Sequence, residues 1–424
     1  MSFMITTRTI APGVTLHALK SEKFKSACFS LNFLHPHRRE TAVLDALVPS
    51  VLLRGSEQYP HIRSISSRLD ELYGASVGTL VRCKGEVKFT GFYADFIEDE
   101  FVPEGEAVFA PVVEFLEEIL YHPLLEGDCF CADFVEGEKQ NLINAIEAGL
   151  NNKRSYAVKQ MLDRMCQGSA FAVPRLGYAE DVPGVSPEQL WEHYQKLLRS
   201  DRVEIFYSGR LEADTVAAAF APLFREGRDY RPQSLTTPIY CPVEELRSFT
   251  ETLDVNQGKL VLGLGTGITA DCADYPALLL FQAVFSSGTT SKLFQNVREK
   301  RSLCYYVSAS FDKYKGIMLI SSGIAFDKFE AAKAAILEEL EACRRGEISP
   351  AELETAKRQC LSSMQGIQDS PPQLDDFYCG KAILPCLTPE ELIRAIGSLE
   401  KEAVVQVARK LQLDSIYFLK GEEA

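Results

Sequence analysis

A five-residue stretch of this chain recurs 202 positions later, and that recurrence limits the fold more than anything else in the sequence. Ser186-Pro187-Glu188-Gln189-Leu190 returns as Thr388-Pro389-Glu390-Glu391-Leu392. Both read as helix starts. Each has a hydroxyl cap, a proline in the first turn where its missing N–H costs nothing, and an acid near the positive end of the helix. Each is followed by a helical run and then a short strand closing on glycine, Val203 to Gly209 and Ser415 to Gly421. The match extends upstream. Glu104 to Leu120 and Phe326 to Arg344 both read as amphipathic helices. A second long helix follows each, from about Cys131 through Glu147 in the first copy and opening on the capping box Ser349-Pro350-Ala351-Glu352 in the second. Near the front of each half lies a strand, Ala27 to Leu34 and Lys259 to Leu264. Long-period self-similarity of this kind predicts two similar domains. Strands and helices are mixed without alternating as βαβ units. The expected class is therefore α+β, two duplicated domains, each a mostly antiparallel sheet packed with helices. The halves fall at 1–224 and 248–424. The 225–247 linker between them holds Pro232, Pro238 and Pro242 and little periodicity.

Composition narrows the function. With 45 Lys plus Arg against 59 Asp plus Glu, the formal charge is −14. A chain that acidic is a poor nucleic-acid binder, because phosphate neutralisation needs a basic face. The most apolar stretch, Ala277 to Phe285, is short and carries Gln282, so no membrane span is expected. The N-terminal residues lack the basic-then-apolar pattern of a secretory signal. Twelve scattered cysteines in a chain with 46% hydrophobic residues predict free thiols in a reducing compartment, hence a cytoplasmic protein. Cys129 and Cys131 are the one close pair; two small apolar residues near a helix start explain them better than a redox or metal site.

The most specific segment is Phe285 to Gly323. It contains Ser287-Gly288, Ser291-Lys292-Leu293-Phe294, Arg298-Glu299-Lys300-Arg301-Ser302-Leu303-Cys304-Tyr305 and Gly316-Ile317 in that order. It resembles the pitrilysin and mitochondrial-processing-peptidase family of inverted zinc peptidases, whose C-terminal half carries these features in the same sequence. The resemblance extends over nearly the whole chain, because that family is also built of two α+β halves.

The family's metal chemistry implies an H-x-x-E-H motif in the N-terminal half, with two histidines and a later glutamate as ligands and the motif glutamate as general base. The landmark that follows the motif is here Arg54-Gly55-Ser56-Glu57-Gln58-Tyr59-Pro60, ahead of a helix from Ile62 to Leu72. Counting back from Gly55 puts the three motif positions on Ala46, Pro49 and Ser50. Matching Glu138 to the family's upstream glutamate puts the third-ligand position on Ala145, with Glu147 two residues away. The resemblance thus implies a degenerate zinc site and no cofactor in this chain. Elsewhere, His35-Pro36-His37 with Glu40 and His61 is a conceivable metal cluster, although a polar loop leaving a strand explains it more simply.

Arg298 and Tyr305 remain, seven positions apart. In the family these positions bind a substrate carbonyl and hydrogen-bond the oxyanion of the tetrahedral intermediate. By residue type alone Arg298 would be a solvated helix charge and Tyr305 a core aromatic; the surrounding motif favours the functional pair. The neighbouring Tyr306 points to the other face of the strand and reads as structural. Gly263-Leu264-Gly265-Thr266-Gly267 has G-x-G-x-G spacing with no helix directly after it, so it is no nucleotide loop. It reads as a strand end whose glycines admit another backbone; the family resemblance implies that this surface faces a peptide chamber.

Two functions are compatible with this pattern. In the first, the chain is a zinc-free subunit, inactive by itself, in a heterodimeric metallopeptidase. It supplies Arg298 and Tyr305 to a zinc-bearing paralogous partner acting on peptides or small proteins. In the second, it is a structural scaffold or peptide-binding member of the family with no catalytic duty.

Overall fold

The computed structural model describes residues 5–224 and 227–422. The chain divides into two compact units that interleave along the sequence. The first comprises Met1–Glu147, Val173–Thr236 and Ser370–Ile383; the second comprises Ala148–Ala172, Thr237–Asp369 and Leu384–Ala424. The main break falls at Thr236, inside the proline-bearing segment, where residues 228–246 form no helix or strand. Each unit also holds one helix drawn from the other half of the sequence.

The first unit is built on a six-stranded sheet in the order Ile5–Ala11, Val14–Lys20, Arg202–Gly209, Ser26–Pro36, Val87–Ile97, Ser76–Lys84. Val14–Lys20 and Arg202–Gly209 run parallel, and every other neighbouring pair is antiparallel. The central strand Ser26–Pro36 is buried on both faces. Its alternation sorts the faces. Ala27, Phe29, Leu31 and Phe33 enter a large apolar core with Val43, Leu47, Val112, Leu116 and Leu190 from the helices Arg39–Leu52, Phe109–Tyr121 and Pro187–Ser200. Cys28, Ser30 and Asn32 face the other way. The helix Pro371–Lys381 covers that side, where Ser30 Oγ donates to Asp375 and Asn32 Nδ2 lies 3.9 Å from Cys379 Sγ.

The second unit repeats the arrangement with five strands: Tyr306–Asp312, Ile317–Ile324, Gly258–Gly265, Gln412–Lys420, Arg247–Thr252. Again the last pair runs parallel and the others antiparallel. Read from Ser76–Lys84, the first sheet has the same order and senses, with Ile5–Ala11 as an additional edge. The helix Lys153–Met165 packs on this second sheet, burying Ala157, Met161 and Met165 against Val261, Leu319 and Tyr417. The apolar helix Tyr275–Ser286 is buried almost all round, and its Gln282 Nε2 donates to the Ala309 carbonyl at 2.8 Å. Among the described residues no helix is long and apolar enough to cross a membrane.

Sequence caps hold where they are local. The hydroxyls of Ser186 and Thr388 accept the N–H groups of Gln189 and Glu391, each at 3.2 Å, and Ser349 closes a capping box with Glu352. The helix expected from Glu104 starts later, at Phe109. Asp99 Oδ1 accepts the N–H groups of Val108 and Phe109 at 2.8 and 3.1 Å, so the cap is supplied from nine residues upstream. Likewise the Phe326 helix proper begins at Phe329, after a short 3₁₀ turn.

Candidate functional site

The positions that the resemblance assigns to the family's zinc site lie on two helices of the first unit. Ala46 and Pro49 are buried on Arg39–Leu52, and the half-buried Ser50 points its hydroxyl back to the Ala46 carbonyl at 3.4 Å. Ala145 is exposed on Ala132–Asn151. Ala46, Pro49 and Ala145 offer no side-chain lone pair, so this donor set does not fit zinc. Pro49 also removes the N–H that would bond the Asp45 carbonyl one turn back; Thr90 Oγ1 takes that carbonyl instead, at 2.6 Å. The landmark turn is formed as its residues suggest. A Cβ on Gly55 would lie 2.8 Å from the Pro60 carbonyl oxygen, so only glycine fits there.

Beside these positions is a buried ionic cluster that the sequence reading missed. Asp45 Oδ1 is 3.0 Å from His35 Nε2 and 2.7 Å from His193 Nε2, while His35 Nδ1 is 2.8 Å from Asp201 Oδ2. Burial opposes a charge on His35, but the two carboxylates outweigh it and push the imidazole up to about 9. Burial likewise would raise Asp45, yet His35 and His193 hold its carboxyl well below the usual range. His35 is thereby a fixed cation between two acids. His37 has a separate partner, the Val173 carbonyl at 3.0 Å, and His61 is exposed and caps the helix Ile62–Glu71 through Ser64. Among the described residues no group of three or more His, Cys, Asp or Glu is arranged to hold a metal ion.

The Arg298–Tyr305 segment belongs to the second unit. Gly288, at φ +73°, makes the turn ahead of it. Arg298 lies on Leu293–Lys300, a π-helix, a geometry often found at functional sites. Its guanidinium sits over the Phe294 ring, 4.7 Å from the centroid, and its Nε is 3.5 Å from Glu299. Ser302 then adopts φ +49°, and the Tyr305 N–H bonds the Gly323 carbonyl at 2.8 Å, leading into Tyr306–Asp312. Tyr305 is 64% exposed, which rules out the core-aromatic alternative. Tyr306 faces the opposite way. Its ring fills the space where Gly323 lacks a side chain, with the Arg154 guanidinium 4.3 Å from its centroid. Arg298, Glu299, Ser302, Tyr305 and Lys328 line one cavity of about 450 Å³. The structure thus brings Arg298 and Tyr305 together. Lys328 in this wall was not singled out from the sequence, where nothing distinguishes it from other helix-start lysines.

Of the three glycines at the strand end, Gly263 and Gly265 are covered, while Gly267 is exposed with nothing within 4 Å of its Cβ position. A Cβ on Gly263 would lie 2.7 Å from Met165 Sδ, and one on Gly265 would lie 2.2 Å from Pro242 Cγ. The close neighbours of Gly263 and Gly265 are a covering helix and the proline segment.

Comparison with known proteins gives a consistent picture. Residues 184–360 match the model described as the Peptidase M16 inactive domain. The chain is 31% identical to a Bacillus subtilis protein described as probable inactive metalloprotease YmfF, covering 100% of this chain and 99% of that one. A crystal structure of a conserved protein from Enterococcus faecalis superposes with a TM-score of 0.92 at 29% identity, covering 99% of both chains. A Pseudomonas fluorescens structure described as a peptidase M16 inactive domain shares the fold, with a TM-score of 0.80 at 17% identity over 98% of each chain. With the full-length match to the Bacillus protein, the chain belongs to the M16 family of pitrilysin and processing-peptidase relatives, as a homologue of its inactive metalloproteases.

Proposed function

We propose that this chain is the zinc-free half of a two-chain peptidase, inert alone, which lends Arg298 and Tyr305 to a zinc-bearing paralogue. The observation that carries the reading is the shared cavity of about 450 Å³, into whose wall both side chains are built, with Tyr305 64% exposed. The guanidinium presents fixed donors to a substrate carbonyl. The phenol donates to an oxygen on which negative charge develops; a donor placed that way is typically worth about 10²–10³ in rate. Hydrolytic water activation belongs to the sister chain, since Ala46, Pro49, Ser50 and Ala145 cannot supply it. The substrate is an unfolded peptide or small protein, and the scattered cysteines support a cytoplasmic location.

The test is reconstitution. Purified chain is mixed with a zinc-bearing paralogue from the same genome, and cleavage of an unstructured peptide is followed. Neither chain alone is expected to cleave at the rate of the mixture. Arg298→Ala and Tyr305→Phe are each expected to lower the mixture's kcat/KM by tenfold or more. Unchanged activity in both variants would replace this reading by the scaffold.

A further inference from the structure

A second cavity adjoins the one lined by Arg298 and Tyr305, and nothing so far accounts for it. It measures about 650 Å³, and Tyr305 and Ala325 belong to the walls of both. Three phenylalanines, Phe326, Phe329 and Phe418, line this second space, with the Phe329 and Phe418 centroids 4.4 Å apart; Asn256 also lines it. The first cavity is different in character. Arg298 and Lys328 put two cations in its wall against the single acid Glu299, in a chain whose net charge is −14. The Lys328 side chain is 48% exposed, and its nearest acid, Asp327, is 3.8 Å away. The larger cavity is thus walled mainly by aromatic and aliphatic side chains, with the opposite charges Asp327 and Lys420 also in its lining, while the smaller has an excess of cations; Tyr305 lines both.

Both volumes fall in the range of ordinary ligand pockets. Adjacent pockets that share a wall suit an extended peptide, in which residues two apart project to the same side at roughly 7 Å spacing. We propose that the cavities are adjacent subsites for one peptide, the larger taking a big apolar side chain and the smaller an acidic side chain two residues away, selected by Lys328. This rests on the reading of Arg298 and Tyr305 as facing peptide, and it adds the substrate class.

The experiment uses the isolated full chain and fluorescein-labelled unstructured decapeptides, read by anisotropy. The set contains a Phe-Gly-Asp core, its reverse Asp-Gly-Phe, and versions with Phe replaced by Ala or Asp replaced by Lys. The better of the two Phe- and Asp-containing orders is expected to lose about tenfold or more in affinity on Phe to Ala. It is expected to lose about fivefold on Asp to Lys, the scale of an exposed ion pair. Lys328→Glu should invert the Asp-over-Lys preference while keeping the Phe dependence. Asn256→Trp, which fills the aromatic cavity, should abolish the Phe dependence while keeping the charge preference. Both positions are exposed, so neither variant should disturb the fold, and circular dichroism verifies this.

Equal affinity across the set, no binding of any member, or a preference untouched by Lys328→Glu overturns the proposal. Failure of the subsites and failure of the catalytic reading give different patterns. If the peptides are indistinguishable but cleavage by the mixture still needs Arg298 and Tyr305, the subsites are wrong and the reading stands. If the preferences hold but both variants cleave normally, the subsites stand and the reading is wrong.

Discussion

The two sheets share strand order and sense, and each carries a helix from the other half of the sequence, yet the layers under those helices are chemically opposite. Beneath Pro371–Lys381 the contact is polar. Asp375 is fully buried and accepts from Ser30 and from Arg82, the latter at 2.7 Å, while Lys84 reaches Asp376 at 2.7 Å; a single aromatic stack, Phe206 on Tyr378, lies among them. Beneath Lys153–Met165 the contact is thioether and hydrocarbon, Met161 and Met165 against Gly263, Val261 and Leu319. Its polar groups, Arg164, Glu251, Tyr156 and Tyr417, form one linked set, with Arg164 to Glu251 at 3.0 Å and Tyr417 Oη to Glu251 at 2.9 Å. Strand pairing sets the topology, and the helix–sheet layer can then be satisfied either by matched charges or by close-packed sulfur.

That contrast can be broken from either side. The largest effect is expected from Asp375→Ala, which removes the fully buried carboxylate that accepts from both Ser30 and Arg82, leaves Arg82 only the exposed Asp376, and should cost about 3–5 kcal/mol in urea unfolding of the first unit. A loss under 1 kcal/mol would mean the charges do not hold that helix. Next is Met161→Ala in the second unit, at about 2–4 kcal/mol and unchanged by salt, because only packing is lost. Gly263→Ala should follow at about 1–3 kcal/mol, since the new methyl meets Met165 at 2.7 Å; Met165→Ala in the same chain should recover part of it. The pH profile separates the units further. The His35 imidazole has its folded-state value raised to about 9, so its contribution is complete below the ordinary histidine value near 6.5 and is lost as pH rises through about 9. The first unit's denaturation midpoint should fall over that window, and His35→Gln should flatten the slope. The smallest effect is Lys84→Ala. The lysine is buried and also donates to the Asp376 carbonyl at 2.8 Å, but the Asp376 carboxylate is 62% exposed, so the loss should be about 1 kcal/mol and its ionic part should shrink in 1 M salt.

What could be read ahead of the structure was mostly local. Alternating apolar strands and hydroxyl-proline-acid caps need only a few neighbouring residues, and these elements formed where they were expected. The three positions counted back from Gly55, Ala46, Pro49 and Ser50, fall on one helix ahead of the glycine turn, because local spacing is kept. The misses are contacts between distant residues. Asp99 caps a helix across a nine-residue gap, and Asp45 meets His193 148 positions away. No periodicity encodes such a pairing. The exchanged helices were invisible for the same reason: Met161 and Met165 look like any helix face until Gly263 is brought beneath them. The Arg298 and Tyr305 positions came from a motif, but their common cavity and its Phe329–Phe418 neighbour came only from the folded chain.

Pro49 and Ala46 have a consequence for anyone hoping to engineer hydrolysis into this protein. Ala46 is 5% exposed and Pro49 is buried, with the carbonyl left free by the proline already taken by Thr90. Installing an imidazole and a carboxylate there would require excavating the hydrophobic interior around them. The triple substitution Ala46→His, Pro49→Glu and Ser50→His alone should therefore misfold before it ever captures a metal.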